Sequence, residues 1–308
     1  MIESSWYWID LVKIPWLMIA ILTLTTNLFL VFLIICRRNL RTLSNAILCS
    51  MFICGCAYAV LCIFSSKVMI HWQILSKSRL YSYIIRSSGI TFTICYNLHL
   101  CGVCIVKMIS IISPLRYRIL LCRKKTFIII GIIWAIPIVL GPIPALMDFL
   151  YWLQNRPSRH YLIVRQICNT VILIITIIVP ILFTIMLYIV AFIIMNRRNR
   201  LAMLAASRAH CNHQACQLSN VGRNLIIIKQ MLVMLGLFTV CWLPYFIFII
   251  SIDYIQIQIS LPFALLHIMD GLSYLALSYP AINPILFAYY TASIRDEIKI
   301  LIAQCCKI

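Results

Sequence analysis

The run KQMLVMLGLFTVCWLPYFIFIISID, residues 229–253, decides the fold of this chain, because no charged side chain lies between Lys229 and Asp253. An α-helix needs about 20 apolar residues to cross the hydrocarbon core of a bilayer. Only a helix satisfies its own backbone polar groups along such a run. The run therefore predicts a transmembrane helix, with Pro244 in its interior.

Charge-free runs of this kind recur along the whole chain. Of its 308 residues, 64% are hydrophobic and only 11% are charged, whereas soluble domains are roughly half apolar. The runs predict seven spans, at about 14–36, 44–66, 81–113, 126–147, 166–196, 225–252 and 262–291. Residues 1–13 then form a short extracellular N-terminus, residues 14–292 the membrane domain, and residues 293–308 an amphipathic helix with a cytoplasmic tail. The predicted fold class is an all-α membrane protein, a seven-transmembrane helix bundle.

Lysine and arginine in short loops stay on the cytoplasmic side of a membrane, and this rule sets the orientation. Basic clusters at residues 37–41, 116–125 and 197–223 share one side if the N-terminus lies outside. The net charge of +19 then marks a cytoplasmic surface that faces anionic lipid and an acidic partner. The lipid bilayer is thus an expected partner, and nucleic acid is not.

Several spans contain a proline or a polar residue that solubility in lipid does not require. They are Asn27, Pro180, Pro244, Asn283 and Pro284. Polar groups within a membrane usually face the bundle interior or a hydrated cavity, and proline frees a backbone carbonyl and permits a bend. The pattern favours a bundle that changes shape.

These residues form a set that resembles the class A, or rhodopsin-like, G-protein-coupled receptors over essentially the full chain. The elements are Asn27-x-x-x-Val31, Trp134 in the fourth span, Pro180 with Tyr188, the motif FTVCWLPYF around Trp242, and NPILF at residues 283–287. The departures described below indicate a divergent, chemosensory-like member.

The resemblance implies a plasma-membrane receptor that transduces an extracellular ligand signal to a heterotrimeric G protein by movement of the sixth helix. It implies no enzyme activity, no cofactor and no metal. The residues that it assigns to activation and coupling are Lys107, Tyr188, Trp242, Pro244, Phe238, Asn283, Pro284, Phe287 and Asn27.

Lys107 departs from the family pattern, because Val106-Lys107-Met108 stands at the Asp-Arg-Tyr triplet. The family's acidic partners are replaced by Val106 and, in the sixth helix, by Asn224, so no resting-state ionic latch is expected. Loss of the latch would raise basal activity, while lysine in place of the planar guanidinium would weaken coupling. A constitutively active or decoy receptor is therefore one alternative. Another is that Lys107 only extends to the inner interface.

The expected ligand pocket opens outward between the third, fifth, sixth and seventh helices. Gly89 stands where the family carries the aspartate that pairs with amines, so a biogenic amine is not expected as the ligand. Arg86 either pairs with an anionic ligand group or is solvated. Gly55 replaces the sodium-binding aspartate. The pocket candidates are Arg86, Gly89, Thr93, Tyr245, Phe246, Ile249, Asp270, Ser273 and Leu277.

The cysteines predict little cross-linking. Ser82 stands near the position where the family usually has a disulfide-forming cysteine, so the family disulfide is expected to be absent. Cys168 is the nearest outer candidate, and Cys62 is an alternative partner for it. Cys305 and Cys306, after an amphipathic helix, are S-palmitoylation candidates or unmodified thiols. The segment HCNHQAC, residues 210–216, has no standard zinc spacing and favours a reduced loop.

A small transporter or channel is the alternative from another class. It would require intramembrane carboxylates or an inverted repeat, and neither is visible in the sequence. An enzyme would require paired carboxylates or a nucleophile with a base. His99, the lone imidazole in mid-span, is expected to be hydrogen-bonded within the packing.

Overall fold

The computed structural model describes residues 3–61, 63, 79–113, 117, 119, 122–153, 159–206, 214–255 and 263–306. Across these residues the chain is almost entirely helical and has no β-strand. The span helices are Glu3–Cys36 for the first, Leu43–Tyr58 for the second, Arg79–Ile112 for the third, Arg123–Leu140 with Ile143–Leu153 for the fourth, Arg159–Leu173 with Val179–Ala206 for the fifth, Gln214–Ile255 for the sixth and Phe263–Tyr290 for the seventh. A π-helical turn, Ile174–Ile178, joins the two parts of the fifth span. The surface helix, Ala292–Cys305, follows the seventh.

Several helices extend beyond the apolar runs that predicted them. The first begins at Glu3, so residues 3–13 continue the same helix. The fifth begins at Arg159 and the sixth at Gln214, before the predicted starts at 166 and 225. A polar residue does not end a helix, because its backbone hydrogen bonds continue wherever φ and ψ permit them. Hydropathy therefore does not fix the ends of the helices.

Six helices among the described residues are long and apolar enough to cross a membrane. They are Ile14–Cys36, Leu43–Leu61, Tyr83–Ile112, Arg123–Leu150, Val179–Arg197 and Ile226–Ile252. The seventh span has the length but carries Asp270, Tyr279 and Asn283. Tyr279 and Asn283 are fully buried, so protein and not lipid surrounds these polar groups.

The core lies between the first, second, third, sixth and seventh spans, where Leu30, Phe52, Phe238, Tyr279 and Phe287 are almost completely buried. The outward faces are also apolar. Phe32 and Val139 are 65% and 68% exposed. Side chains of this kind lower the free energy of a helix in hydrocarbon and raise it in water, as the prediction of a membrane bundle requires.

Two packed groups fix the inner end, the end predicted to face the cytoplasm. In one, Glu297 of the surface helix accepts a hydrogen bond of 3.0 Å from Asn39 Nδ2 and lies 3.5 Å from Arg37 Nε. In the other, Cys104 and Met108 of the third span pack with Met195 of the fifth and Met231 of the sixth. The surface helix is therefore tied to the segment after the first span, and the third, fifth and sixth spans pack together.

The third and fourth spans approach each other closely at Gly141. A Cβ added there would lie 2.6 Å from Thr91 Cα, a backbone atom that no side-chain rotation can move. Only glycine fits this contact without moving one of the two helices.

We expect Gly141→Ala to lower the thermal midpoint of the purified protein, because overpacking of this kind costs about 1–3 kcal/mol. Gly131→Ala is the matched control in the same span, where an added Cβ meets nothing within 4 Å. Alanine also has the higher helix propensity, by about 1 kcal/mol, so this control should keep or raise the midpoint. Equal losses in the two variants would contradict the close contact.

Candidate functional site

Lys107 lies at the inner end of the third span and points into the bundle. Its Nζ donates a hydrogen bond to Gln230 Oε1 of the sixth span and lies 5.1 Å from the centroid of the Phe287 ring. Gln230 Nε2 in turn lies 3.3 Å from Thr291 Oγ1, to which it donates. We refer to Lys107, Gln230, Thr291 and Phe287 as the neutral latch.

The neutral latch joins four elements through groups of which only Lys107 carries a charge. Gln230 is 1% exposed, so its amide replaces water around the ammonium group. A hydrogen bond with a charged donor contributes more than one between neutral groups. A cation over an aromatic face adds a further attraction, strongest where water is excluded.

The sequence did not show this arrangement. No carboxylate among the described side chains pairs with Lys107, and the side chain of Asn224 lies outside that set. Lys107 does not extend to the interface, because it turns inward onto Gln230 and Phe287. The sequence does contain one sign of the arrangement, because the polar residue Gln230 follows Lys229 at the start of an apolar run. The partner of Gln230 cannot be read from the sequence, because it depends on how the sixth helix is rotated.

An aromatic group continues from the latch region toward the outer half of the sixth span. Phe238 contacts Tyr279 edge-on, with ring centroids 5.3 Å apart, and lies 6.3 Å from Trp242. Trp242 stacks on Phe246 at 5.2 Å and meets Tyr245 edge-on. The helix passes through Pro244 without interruption. A displacement of Trp242 would thus move Phe238, which contacts Tyr279 of the seventh span.

Asn283 connects three spans at the level of Tyr279. Its Nδ2 donates to the Tyr96 hydroxyl of the third span at 2.7 Å. The Tyr279 hydroxyl lies 3.4 Å from both Asn283 Oδ1 and Met234 O of the sixth span. Pro284 follows directly, so this polar junction is next to the break in the seventh helix's backbone hydrogen bonding.

Asn27 ties the first span to the seventh. Its Nδ2 donates to Pro280 O at 2.9 Å and to Thr23 O at 2.7 Å. Gly55 of the second span packs against the Asn27 amide, since an added Cβ would come within 2.7 Å of Asn27 Cγ. A larger residue, such as the family's aspartate, would displace the Asn27 amide.

The structure brings some of the predicted pocket residues together. Tyr245 and Phe246 meet with centroids 5.6 Å apart, beside Trp242, and Ile249 follows them on the same helix. The hydroxyls of Thr93 and Ser273 donate to backbone carbonyls of their own helices. Gly89 has open space around its missing side chain, Asp270 and Leu277 are partly buried, and the Arg86 side chain lies outside the described residues.

A groove of about 480 Å³ lies elsewhere, on the lipid side between the third and fourth spans. Its lining includes Tyr83, Thr91, Phe92, Ile138 and Phe149 and none of the predicted pocket residues. The predicted pocket and this groove are therefore different places.

The remaining candidates occupy peripheral positions. Tyr188 of the fifth span stacks with Phe192 and packs beside the methionine group of the inner end. Cys168 is in no disulfide, and Cys305 and Cys306 are exposed thiols at the end of the surface helix. Cys62, residues 210–213, and the side chains of Ser82 and of residues 214–216 lie outside the described set.

We expect Gly55→Ala to destabilise the purified protein by displacing Asn27, with a cost of about 1–3 kcal/mol. Asn27→Ala alone should also lower the thermal midpoint, because it removes the bond to Pro280 O. In the double variant the smaller side chain at position 27 vacates the space, so the two losses should not add. Additive losses would mean that the two positions do not share this contact.

Residues 26–287 match the family model described as 7 transmembrane receptor (rhodopsin family). Octopamine receptor beta-2R of Chilo suppressalis is 23% identical, with 92% of this chain and 77% of that protein covered.

Two Drosophila melanogaster proteins show similar levels of identity. Tachykinin-like peptides receptor 86C is 24% identical over 65% of this chain and 40% of its own length. Octopamine receptor beta-1R is 20% identical over 89% of this chain and 58% of its own length.

Proposed function

The chain belongs to the rhodopsin family of seven-transmembrane receptors, and from this premise we propose that it carries an extracellular ligand signal across the plasma membrane to a heterotrimeric G protein. As a member of that family it is a signalling receptor in a membrane and not an enzyme. The neutral latch is the observation that carries the proposed mechanism.

In the proposed mechanism, a movement of the sixth span begins at the latch. Gln230 bonds to the third span at Lys107 and to the start of the surface helix at Thr291. An outward swing of the inner half of the sixth span about Pro244 breaks both bonds and frees the Lys107 ammonium for a partner. A ligand that binds the swung state more tightly shifts the population toward it.

The inner surface has the charge that suits an acidic partner. Arg41, Arg123, Lys124, Lys125 and Arg200 are all exposed there. Their combined field would speed the encounter with an acidic surface and orient it. The same residues also face the anionic lipid of the inner leaflet.

We propose that the ligand does not depend on an ammonium–carboxylate pair with the third span. Residues 79–112 contain no aspartate or glutamate, and open space surrounds Gly89. A buried ligand cation without a counter-charge is costly. The contacts offered by Trp242, Tyr245 and Phe246 favour aromatic or apolar ligand groups.

A constitutively active receptor is the second candidate, supported by the absence of a formal negative charge from the latch. An amide holds a cation less strongly than a carboxylate does in the same place. The resting state is then favoured by a smaller free energy, and more receptors occupy the swung state without ligand.

We expect Gln230→Leu to raise basal G-protein activation in cells matched for surface expression. Leucine removes both latch bonds, and a hydrogen bond to a charged group contributes about 1.5–3 kcal/mol, so the ratio of resting to swung receptors should fall about tenfold or more. Gln230→Glu places a carboxylate beside Lys107 and should lower basal activation. Thr239→Val is the control, because Thr239 Oγ1 donates to Leu235 O of its own helix. Changes of the same sign for leucine and glutamate would contradict the latch.

Lys107→Arg tests how the form of the cation affects coupling. The planar guanidinium is less costly to desolvate and contacts two acceptors at once, so we expect stronger activation of the G protein. A silent parent chain that signals only as Lys107→Arg would identify a decoy. Silence from the parent, Lys107→Arg and Gln230→Leu, at normal surface display, would contradict G-protein signalling.

A further inference from the structure

Three side chains with soft or imidazole donor atoms meet at the buried contact between the second and third spans. They are Cys54, Cys95 and His99, each 0% exposed. Their donor atoms all lie within 4.8 Å of one another, and Cys95 Sγ is 3.6 Å from His99 Nδ1. The latch mechanism uses none of these side chains.

We propose that Cys54, Cys95 and His99 bind one thiophilic metal cation, Cu(I) or Zn(II). Thiolate and imidazole are the ligands that these two ions prefer in proteins. Bond lengths of about 2.3 Å to sulfur and 2.0–2.1 Å to nitrogen place neighbouring ligand atoms about 4 Å apart. The three donors, which all lie within 4.8 Å of one another, are therefore close to the spacing that an ion requires.

The helices hold the donors in suitable places. Cys95 and His99 are four residues apart on the third span, so both lie on one helical face. Cys54 approaches that face from the second span. Sites carried by helices are more exactly positioned than sites on loops.

A second layer of hydrogen bonds supports the imidazole. His99 Nε2 lies 2.9 Å from Ser50 Oγ, and Trp134 Nε1 donates to the same oxygen at 2.9 Å. A metal-bound histidine usually gives its other ring N–H to such an acceptor, which fixes the tautomer. With Nε2–H donating to Ser50, the Nδ1 lone pair on the cysteine side is available to the ion.

Binding exchanges protons for the metal. Without metal, His99 Nδ1–H donates to Cys95 O at 2.8 Å, and the thiols lie 3.8 Å and 3.9 Å from the carbonyls of Phe92 and Ile133. Thiols are weak hydrogen-bond donors, so losing these contacts costs little free energy. Each thiol that becomes a ligand releases one proton to solvent, and the ring proton moves from Nδ1 to Nε2 by exchange. No electron is transferred.

The two ions differ in what the cluster offers them. Zn(II) with two thiolates and a neutral imidazole has no net charge, which suits a buried place, but zinc structural sites normally have four ligands. Cu(I) is the softer ion and accepts three donors. Because the described residues supply three, we expect Cu(I) to bind more tightly.

The test measures metal in the purified full chain. The protein is reduced anaerobically, offered Cu(I) in one arm and Zn(II) in the other, and passed over a chelating column before metal analysis. We expect one ion per chain in at least the Cu(I) arm, with X-ray absorption showing two sulfurs and one nitrogen. The double variant Cys54→Ala, Cys95→Ala should lose the ion, and Ser50→Ala should weaken binding roughly 10- to 100-fold.

Cys104→Ala is the matched control, because Cys104 is another buried cysteine of the third span and lies outside the cluster. It should retain the ion. Absence of metal from the parent chain in both arms would overturn the proposal, as would equal retention by the double variant. A circular dichroism spectrum of each variant separates loss of the site from loss of the fold, and none of these measurements depends on G-protein signalling.

Discussion

An ammonium group inside an apolar bundle has to be solvated by protein, and the inner end is built around that requirement for Lys107. The amide of Gln230 accepts from the ammonium, the Phe287 ring covers it, and Thr291 holds the other end of the amide. Each partner comes from a different part of the chain. The relative positions of the third, sixth and seventh spans and the surface helix are therefore linked through one cation, because moving any of them leaves a polar group unpaired at a cost.

The same constraint explains the polar residues farther along the spans. Asn283 bonds to Tyr96, Asn27 bonds to Pro280 O, and His99 bonds to Ser50 and Cys95 O. Each bond crosses between helices or uses a backbone carbonyl that lipid could not satisfy. Polar residues thus act as fixed points between spans, while apolar contacts such as that of Phe238 with Tyr279 fill the space between them.

The prediction of an all-α membrane bundle is confirmed, because hydrocarbon thickness sets a length that charge-free runs record. The sequence predicted the helix ends poorly, since Glu3 and Gln214 lie in polar segments where nothing in the composition stops a helix. Trp242, Phe238 and Asn283 were identifiable by motif, and the structure places them in one connected group. Gln230 was not, because its role depends on the rotation of the sixth helix toward Lys107. The sequence showed that Gly55 replaces the family's aspartate. It did not show that Gly55 packs against the Asn27 side chain.

In the proposed mechanism, a latch without a carboxylate changes how much binding energy a ligand has to contribute. Moving a two-state protein from one percent to ninety-nine percent in the second state requires about 5.5 kcal/mol of differential binding. Here the resting state is held by a hydrogen bond from a cation to a side-chain amide, which contributes about 1.5–3 kcal/mol. The free receptor then populates the swung state more than a receptor with a buried ion pair would. A ligand with modest preference for that state then suffices. Lysine in place of the family's arginine has the opposite effect on signalling, because it weakens the contact with the G protein. Lysine contacts an acceptor at a single point, whereas arginine contacts two. In the proposed mechanism, sensitivity to ligand and strength of coupling are therefore set by the same residue, and the balance between them depends on how firmly Gln230 holds Lys107.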